Sequence, residues 1–334
     1  MIRPTATKLE LSEKQQAVSC GGLAIIMQLI KQLDVRKHIN SAAPVFKLYA
    51  PYDEADHILN IALNLLAGGT CLEHLELRRN DEAYLDALGA ERIPDPTTAG
   101  DFCRRYDSVK LLCLMQGINR VRQQVWKQQN DHFFDQATIE AVGTMIETYG
   151  EMKDGIGINY LGQWGYHQLV VTLAETQEVR YLANRSGNRP SHEHSAFFLD
   201  LAIAQCRKAG FRKIVLRGDT DFSSTEHLDR WDSQGVHFVL GYDAMPNLNN
   251  IADSLPKSAW KPLVREKPEP TTTRTKRPNY KEQIVEENGY ENQKLRAESY
   301  AEFDYQPVAC ERSYRMIVVR KDIDVSSGQH LLFD

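Results

Sequence analysis

The segment from Phe133 to Tyr242 predicts a fixed order of secondary structure, and this order restricts the fold more than any other feature. Short stretches rich in β-branched and aromatic residues predict strands, and longer amphipathic stretches with polar starts and glycine stops predict helices. In chain order they are FFDQATIEAVGTM, HQLVVTLAE and VRYLANRS, the helix SHEHSAFFLDLAIAQCRKAG, the strand KIVLR, the helix SSTEHLDRWDSQG and the strand VHFVLGY. Three strands, a helix, a strand, a helix and a strand predict an α/β domain with a mixed sheet and flanking helices.

Two carboxylates follow the fourth strand of this segment. Asp219 and Asp221 lie two residues apart in RGDTDF, so in an extended chain both side chains point to the same side. The order of elements is that of RNase H-like domains, in which the first and fourth strands are neighbours and carboxylates at their ends meet. Such a group of acids suits a site with two magnesium-like ions that cleaves phosphodiesters. The alternative is local, because aspartates after strands are common in turns and helix caps.

The residues before this segment predict helices, and the residues after it predict an excursion. The pattern from Ser12 to about Gln129 is helical, with Thr97 or Thr98 as a cap, so we expect a helical region over residues 1–130. We expect an α/β domain over 131–334, interrupted by an inserted segment at about 245–307 that is rich in proline, threonine and charge. Apolar alternation returns in RSYRMIVVRKDI, and the end at Asp334 leads us to expect that the C-terminal part of the domain is missing.

Composition excludes several other classes of protein. The net charge of −5 gives no overall basic character, although local basic patches remain compatible with it. The six cysteines contain no C-x-x-C pair, which argues against a zinc site and for reduced thiols. No signal peptide is evident, and the most apolar runs are too short or too interrupted to span a bilayer. These features predict a cytoplasmic protein with no membrane partner.

Long motifs resemble one known family. GINYLGQWGYHQLVVTLAETQEVRYLANRSGNRPSHEH, then AIAQCRKAGFRKIVLRGDTDFSSTEHLDRWDSQGVHFVLGYDAMPN, resemble the insertion-sequence transposases of the first DDE-domain group. The upstream LEHLELRRNDEAYLDALGAERIPDPTTAGDFCRRYD is similar to their N-terminal region. The resemblance implies a helical DNA-binding region followed by an RNase H-like domain. It also implies Mg²⁺ or Mn²⁺ as cofactor, terminal inverted repeats and target DNA as double-stranded DNA partners, and a bacterial, nucleoid-associated location.

The same resemblance assigns the catalytic positions and shows a departure at one of them. Asp219 corresponds to the second catalytic aspartate, and the first is expected directly before Gly143-Thr144, where this chain has Val142. An isopropyl group cannot bind a cation. Glu140, two residues earlier on the same strand face, and Asp135 are the candidate replacements. A shift of two residues moves a ligand about 7 Å along a strand, so we expect no full replacement.

The third acid of the family, a glutamate on a later helix, has no assigned counterpart. That helix is expected beyond Asp334, and no motif favours the glutamates of the charged excursion, which are Glu286, Glu287 and Glu291.

Several other residues have a functional and a structural interpretation. Arg185, Arg189 and Arg217 are candidates for contacts with DNA phosphates, and the alternative is an ion pair with a nearby carboxylate. In the helical region the DNA-binding candidates are basic residues, namely Arg104 and Arg105, with Arg120, Arg122 and Lys127. His192 and His194 are interpreted as packing or capping residues rather than metal ligands, and Trp126, Trp164 and Trp231 as core residues.

These observations lead to two hypotheses about function. The first is an insertion-sequence transposase, which performs metal-dependent DNA cleavage at terminal inverted repeats and strand transfer, with little or no catalysis left in this chain. The second is a non-catalytic DNA-binding remnant that occupies transposon ends or inhibits a full-length transposase. A homodimer is compatible with both, because transposases pair two DNA ends.

Overall fold

The computed structural model describes residues 20–47, 51–150, 152–265 and 292–326. They form two compact units that follow each other along the chain. Unit 1 ends at Arg217, and unit 2 begins at Gly218.

Helices make up the first half of unit 1. They are α1 Leu23–Gln32, α2 Val35–Ala42, α3 Glu54–Leu66, α4 Leu75–Arg79, α5 Glu82–Leu88, α6 Pro96–Cys103 and α7 Ser108–Trp126. The first helices share one hydrophobic core, formed by Leu23, Ile39, Ala55, Leu59, Leu63, Tyr84 and Ile93. The described residues of this part of the chain form the seven helices above, and residues 12–19 lie outside them.

Aspartates rather than threonines begin several of these helices. Asp53 and Asp56 form a reciprocal capping box at the start of α3, which satisfies backbone donors that the helix leaves open. Asp95 caps α6 by accepting from the backbone N–H of Thr98 at 2.9 Å, with Pro96 as the first helical residue. The predicted cap at Thr97 or Thr98 is therefore wrong, because the helix begins one turn earlier than the pattern indicated.

A mixed sheet makes up the second half of unit 1. Its strands are β1 Gln136–Glu147, β2 Gly157–Ile158, β3 Trp164–Leu173, β4 Glu178–Ser186 and β5 Lys213–Gly218. Within unit 1 the order is β2-β3-β1-β5, and β4 pairs with β3. The hairpin β3–β4 is antiparallel as predicted, and β1 runs parallel to β5 with residues 136–140 opposite 213–217. The predicted adjacency of the first and fourth long strands is confirmed.

One face of this sheet is apolar and buried, and helix α8, Ser195–Ala209, packs against it. Ala137, Ile139 and Ala141 of β1 are almost fully buried. The helix ends at Gly210, which adopts the left-handed conformation (φ 102°) as expected for a glycine stop. Its start differs from the expected one, because Ser191 lies four residues before the first helical residue. The residue before α8 is instead His194, in a left-handed conformation with φ 58°.

A buried arginine anchors α7 to the sheet. The guanidinium carbon of Arg180 on β4 lies 4.3 Å from the ring centre of Trp126, and its side chain is 1% exposed. It donates to Gln205 at 2.8 Å and forms an ion pair with Glu178 at 3.3 Å. Asn119 of α7 donates to the backbone carbonyl of Arg180 at 3.0 Å. These contacts fix the position of α7 against β4 and α8.

The described residues of unit 2 form two short helices and four strands. Its elements are α9 Leu228–Ser233, β6 Val236–Leu240, α10 Pro246–Ser254, β7 Lys261–Pro262, β8 Asn292–Tyr305 and β9 Tyr314–Ser326. The strands β7, β8 and β9 form an antiparallel sheet in that order. Strand β9 confirms the predicted strand RSYRMIVVRKDI, and part of the expected insertion at 245–307 is regular structure. Residues 266–291, which hold Glu286, Glu287 and Glu291, lie outside the described residues.

The start of α9 differs from the sequence pattern, and two of the three tryptophans predicted to be core residues are buried. The spacing of Ser223 and Glu226 predicts a capping box, but residues 220–222 and 225–227 form single 3₁₀ turns before α9 instead. Trp126 and Trp231 are buried as predicted, whereas Trp164 is about half exposed at the start of β3.

Membrane-spanning helices are absent from the described part of the chain, where no helix combines the length and apolar character that a bilayer requires.

Candidate functional site

Val142 lies on the open face of β1, opposite the face that packs against α8. Its side chain is 51% exposed, and its register partner on the neighbouring strand is Val170. Alternation along the strand places Glu140 on the same open face and buries Ala141 between them. The position expected to hold the first catalytic aspartate is therefore accessible, but it carries no atom that can bind a cation.

Glu140 is already paired with an arginine of the adjacent strand. The parallel register of β1 and β5 places Glu140 directly opposite Arg217, and the guanidinium of Arg217 donates to the Glu140 carboxylate. A cation that approached Glu140 would compete with this guanidinium for the same oxygen. The structure thus gives Arg217 the ion pair that was the alternative to a DNA contact.

Asp135 lies outside the strand, just before β1. Its carboxylate forms ion pairs with Arg212 and His132. The hydrogen bond from His132 and the contact with Arg212 both lower the pKa of Asp135. Arg212 and His132 therefore balance the charge of Asp135. Because Asp135 lies before the first residue of β1, it does not replace the missing metal ligand at position 142.

In unit 2, Asp219 and Asp221 belong to one tight turn. Asp219 follows Gly218, the last residue of β5, and one of its carboxylate oxygens accepts from the backbone N–H of Asp221 at 3.0 Å. Gly241 closes the turn: its N–H donates to the carbonyl of Gly218 at 3.0 Å, and a Cβ there would come within 2.7 Å of the Thr220 nitrogen. Both aspartate side chains are exposed. The turn-supporting interaction expected for one aspartate is made by Asp219.

The residues present do not fit a centre for two divalent ions. Across residues 20–47, 51–150, 152–265 and 292–326, no group of three or more His, Cys, Asp or Glu side chains is arranged to hold a metal. Val142 lacks a ligand atom, and Glu140 is bound by Arg217. His192 and His194 are exposed and belong to no such group.

Two of the proposed DNA-binding arginines lie near the connection between β4 and α8: Arg185 is in β4, and Arg189 is in the connection itself. Arg185 points inward and donates to backbone carbonyls, including that of Glu193 at 2.7 Å. Arg189 is 56% exposed and forms an ion pair with the Glu193 carboxylate at 3.2 Å. The carbonyl contacts of Arg185 correspond to neither sequence-based interpretation, since both assumed an anionic partner.

The basic candidates of the helical region also have local partners. Arg104 forms an exposed ion pair with Asp101, one helical turn earlier. The guanidinium carbon of Arg105 lies 5.3 Å from the ring centre of Phe46. Arg122 is partly buried and donates to Asn119 at 2.8 Å, and burial lowers its pKa. Of the helical candidates with described partners, Arg104 is the one most open to an incoming phosphate.

Gly143, which directly follows Val142, allows a close approach that was not predicted from the sequence. A Cβ at Gly143 would lie 2.6 Å from the Ser191 hydroxyl and 3.0 Å from Cε1 of His167. The connection between β4 and α8 therefore packs directly on β1 at Gly143, on the strand face that Gly143 shares with Ala141 and opposite the face of Val142. The sequence feature that could have indicated this close packing is the presence of two glycines, Gly143 in a strand sequence and Gly187 in a loop sequence.

Comparison with known proteins adds one family and one distant structure. The family model described as transposase DDE domain group 1 matches residues 7–325. No curated protein matches the chain significantly. A cryo-EM structure of the piggyBac transposase synaptic complex with hairpin DNA is similar over 93% of this chain and 55% of its own, with 8% sequence identity and a TM-score of 0.31. The chain thus spans about half the length of that protein.

Proposed function

Because the chain belongs to the transposase DDE domain group 1 family, we propose that it binds the DNA ends of an insertion sequence and does not cleave them efficiently. The family match covers nearly the whole chain and supports a transposase origin. The proposed fold of the catalytic region is the RNase H-like arrangement, which the parallel neighbours β1 and β5 support. Terminal inverted repeats are the proposed double-stranded DNA partner.

The observation that carries the second half of the proposal is the environment of position 142. Val142 is accessible, has no ligand atom, and its nearest acid on the same face is engaged by Arg217. Divalent ions supply much of the charge stabilisation in phosphodiester cleavage. A site that cannot assemble their ligands retains DNA-binding surfaces but lacks the reactive centre.

A nicking assay tests the absence of cleavage. A supercoiled plasmid that carries both inverted repeats is incubated with the full chain and with Mg²⁺ or Mn²⁺, and we expect no relaxed or linear product above the level without protein. Robust cleavage would contradict the proposal. In that case Glu140→Gln tests whether Glu140 is the replacement ligand. Loss of cleavage would identify Glu140 as that ligand, and retained cleavage would point to another residue.

A binding assay tests the first half of the proposal. Electrophoretic mobility shifts compare a duplex of the inverted repeat with a duplex of the same composition in scrambled order. We expect tighter binding to the repeat and a steep loss of affinity with salt, because phosphate contacts release counterions. Equal affinity for both duplexes would remove specific end recognition, and no binding to either would remove the proposed function.

A further inference from the structure

The segment from Gly187 to His194, called here the β4–α8 loop, has a defined conformation despite its lack of regular structure. Turn hydrogen bonds run from the backbone N–H of Arg189 to the Ser186 carbonyl at 3.0 Å and from the N–H of Glu193 to the Pro190 carbonyl at 3.2 Å. These bonds alone leave several carbonyl groups of the loop without a backbone partner. Loop carbonyls need other donors if the conformation is to persist.

Arg185 supplies donors for the carbonyls of Ser191 and Glu193, and it adds a second donor to the Pro190 carbonyl, which already accepts from the Glu193 N–H. Its guanidinium donates to the carbonyls of Pro190 at 3.1 Å, Ser191 at 3.0 Å and Glu193 at 2.7 Å, and also to that of His167 on β3 at 3.2 Å. The planar fork of a guanidinium can serve several acceptors at fixed angles, whereas a lysine ammonium is a compact point charge on a flexible stem. Arg185 therefore ties the loop to β3 through contacts that a lysine cannot reproduce.

Two glycines let the same loop approach the sheet closely. A Cβ at Gly143 would lie 2.6 Å from the Ser191 hydroxyl and 2.8 Å from its Cβ. A Cβ at Gly187 would lie 2.5 Å from the carbonyl oxygen of Gly157 and 2.7 Å from that of Gly165. The start and the middle of the loop are thus fitted against strands.

The loop presents one strongly exposed cation. Arg189 is paired only across the surface, with Glu193 four residues later. Exposed ion pairs of this kind contribute little free energy, so a phosphate can replace the carboxylate at small cost. Arg185 itself has its donors turned towards the protein.

We propose that Arg185 is a positioning residue for DNA binding: it holds the β4–α8 loop against β1 and β3, so that Arg189 is kept in place to meet a DNA phosphate. The inference rests on the proposed function, and it gives the two arginines different roles. Arg189 makes the contact, and Arg185 acts through Arg189.

Double-mutant analysis of DNA binding by the full chain tests this division. The variants are Arg185→Lys, which keeps the charge, Arg189→Gln, and the two combined, measured with the inverted-repeat duplex over a range of salt. Removing one phosphate contact lowers the slope of log K against log salt by about one. We expect this loss for Arg189→Gln and also for Arg185→Lys, and no further loss for the double variant.

Three more variants separate the proposed role from effects of the lost side chain or of substitution in general. Gly143→Ala changes no charge but displaces Ser191, so we expect the same lower slope as for Arg185→Lys. Gly22→Ala, at a glycine with open space around it, and Arg79→Gln, at an exposed arginine paired within its own helix, should bind as the wild type does. Amide hydrogen exchange should be faster in residues 187–194 of Arg185→Lys and Gly143→Ala than in the wild type.

The outcomes separate the possible failures. Wild-type affinity and slope for Arg185→Lys, or losses that multiply in the double variant, would overturn the positioning role of Arg185. Unchanged binding by Arg189→Gln would overturn the contact assigned to Arg189 while leaving the proposed function intact. If the wild type binds neither the repeat nor scrambled DNA, both the proposed function and this inference are wrong.

Discussion

Arg217 and Glu140 are direct register partners on the parallel strands β5 and β1, and their side chains form an ion pair. The pair occupies the carboxylate nearest to Val142 on the same strand face. Its partners are 77 positions apart in the chain, so only the strand register brings them together. The pairing explains why a nearby glutamate does not act as a free ligand at the candidate site.

This ion pair should contribute little to stability. Its side chains are 54% and 30% exposed, and exposed pairs are typically worth less than about 1 kcal/mol. A double-mutant cycle with Arg217→Gln and Glu140→Gln, measured by urea unfolding, should give a coupling free energy in that range. The coupling should decrease in high salt, and a salt-independent coupling of several kcal/mol would show that the pair is buried in solution.

Val142→Asp should fold as the wild type does. The side chain is half exposed on an open strand face, and surface substitutions usually change stability by about 0.5 kcal/mol or less. Urea unfolding should therefore give nearly equal free energies for both proteins. The matched control is Ile139→Asp on the buried face of the same strand, where an uncompensated carboxylate should cost several kcal/mol.

Arg180→Met should destabilise unit 1 strongly. The substitution removes the donor to Gln205, the partner of Glu178 and the cation next to Trp126. Removing one partner of a buried pair typically costs about 3 kcal/mol or more. Chemical unfolding should show this loss, and Arg79→Met at an exposed pair should not. Equal stability of the two variants would mean that methionine packing fully replaces the arginine contacts.

His57 should make stability depend on pH in a defined window. It is 3% exposed and stacks on Phe102 with 4.3 Å between ring centres. Burial lowers its pKa, because it disfavours the imidazolium, although Asp56, Asp53 and Glu54 nearby favour the charged form.

The sign of this dependence follows from proton binding. The unfolded chain has the ordinary histidine pKa of about 6.5 and binds a proton before the folded chain does. Stability should therefore be fully present above about pH 6.5 and fall as the pH decreases towards the lower folded-state pKa. Urea unfolding from neutral to mildly acidic pH should show a smaller decrease for His57→Phe. An equal decrease in both proteins would assign the effect to other groups.

The sequence predicted the order of strands and helices in the first sheet because that order depends on local periodicity. It also predicted that β1 and β5 are neighbours, since the order of elements is that of RNase H-like domains; their parallel direction is a finding of the structure. The start of α8 was not predicted, because no side chain caps it and the loop before it is held instead by Arg185, which donates to the carbonyls of Ser191 and Glu193. Long-range donors of this type leave no local pattern.

The candidate site was predictable as a set of positions but not as a set of contacts. Val142, Glu140 and Asp219 were identified from motif and strand alternation. The engagement of Glu140 depends on the register with Arg217, and that of Asp219 on the turn closed by Gly241. Neither register nor turn closure can be read from residue types alone.

The exposure of Val142 has a consequence for how such a chain persists. A side chain on an open strand face is not required for packing, so chaperones and proteases, which respond to unfolding, do not detect an exchange there. Selection on the reaction and selection on the fold therefore act separately at this position. An exchange between valine and aspartate at this position, in either direction, therefore leaves the protein folded and meets little structural resistance.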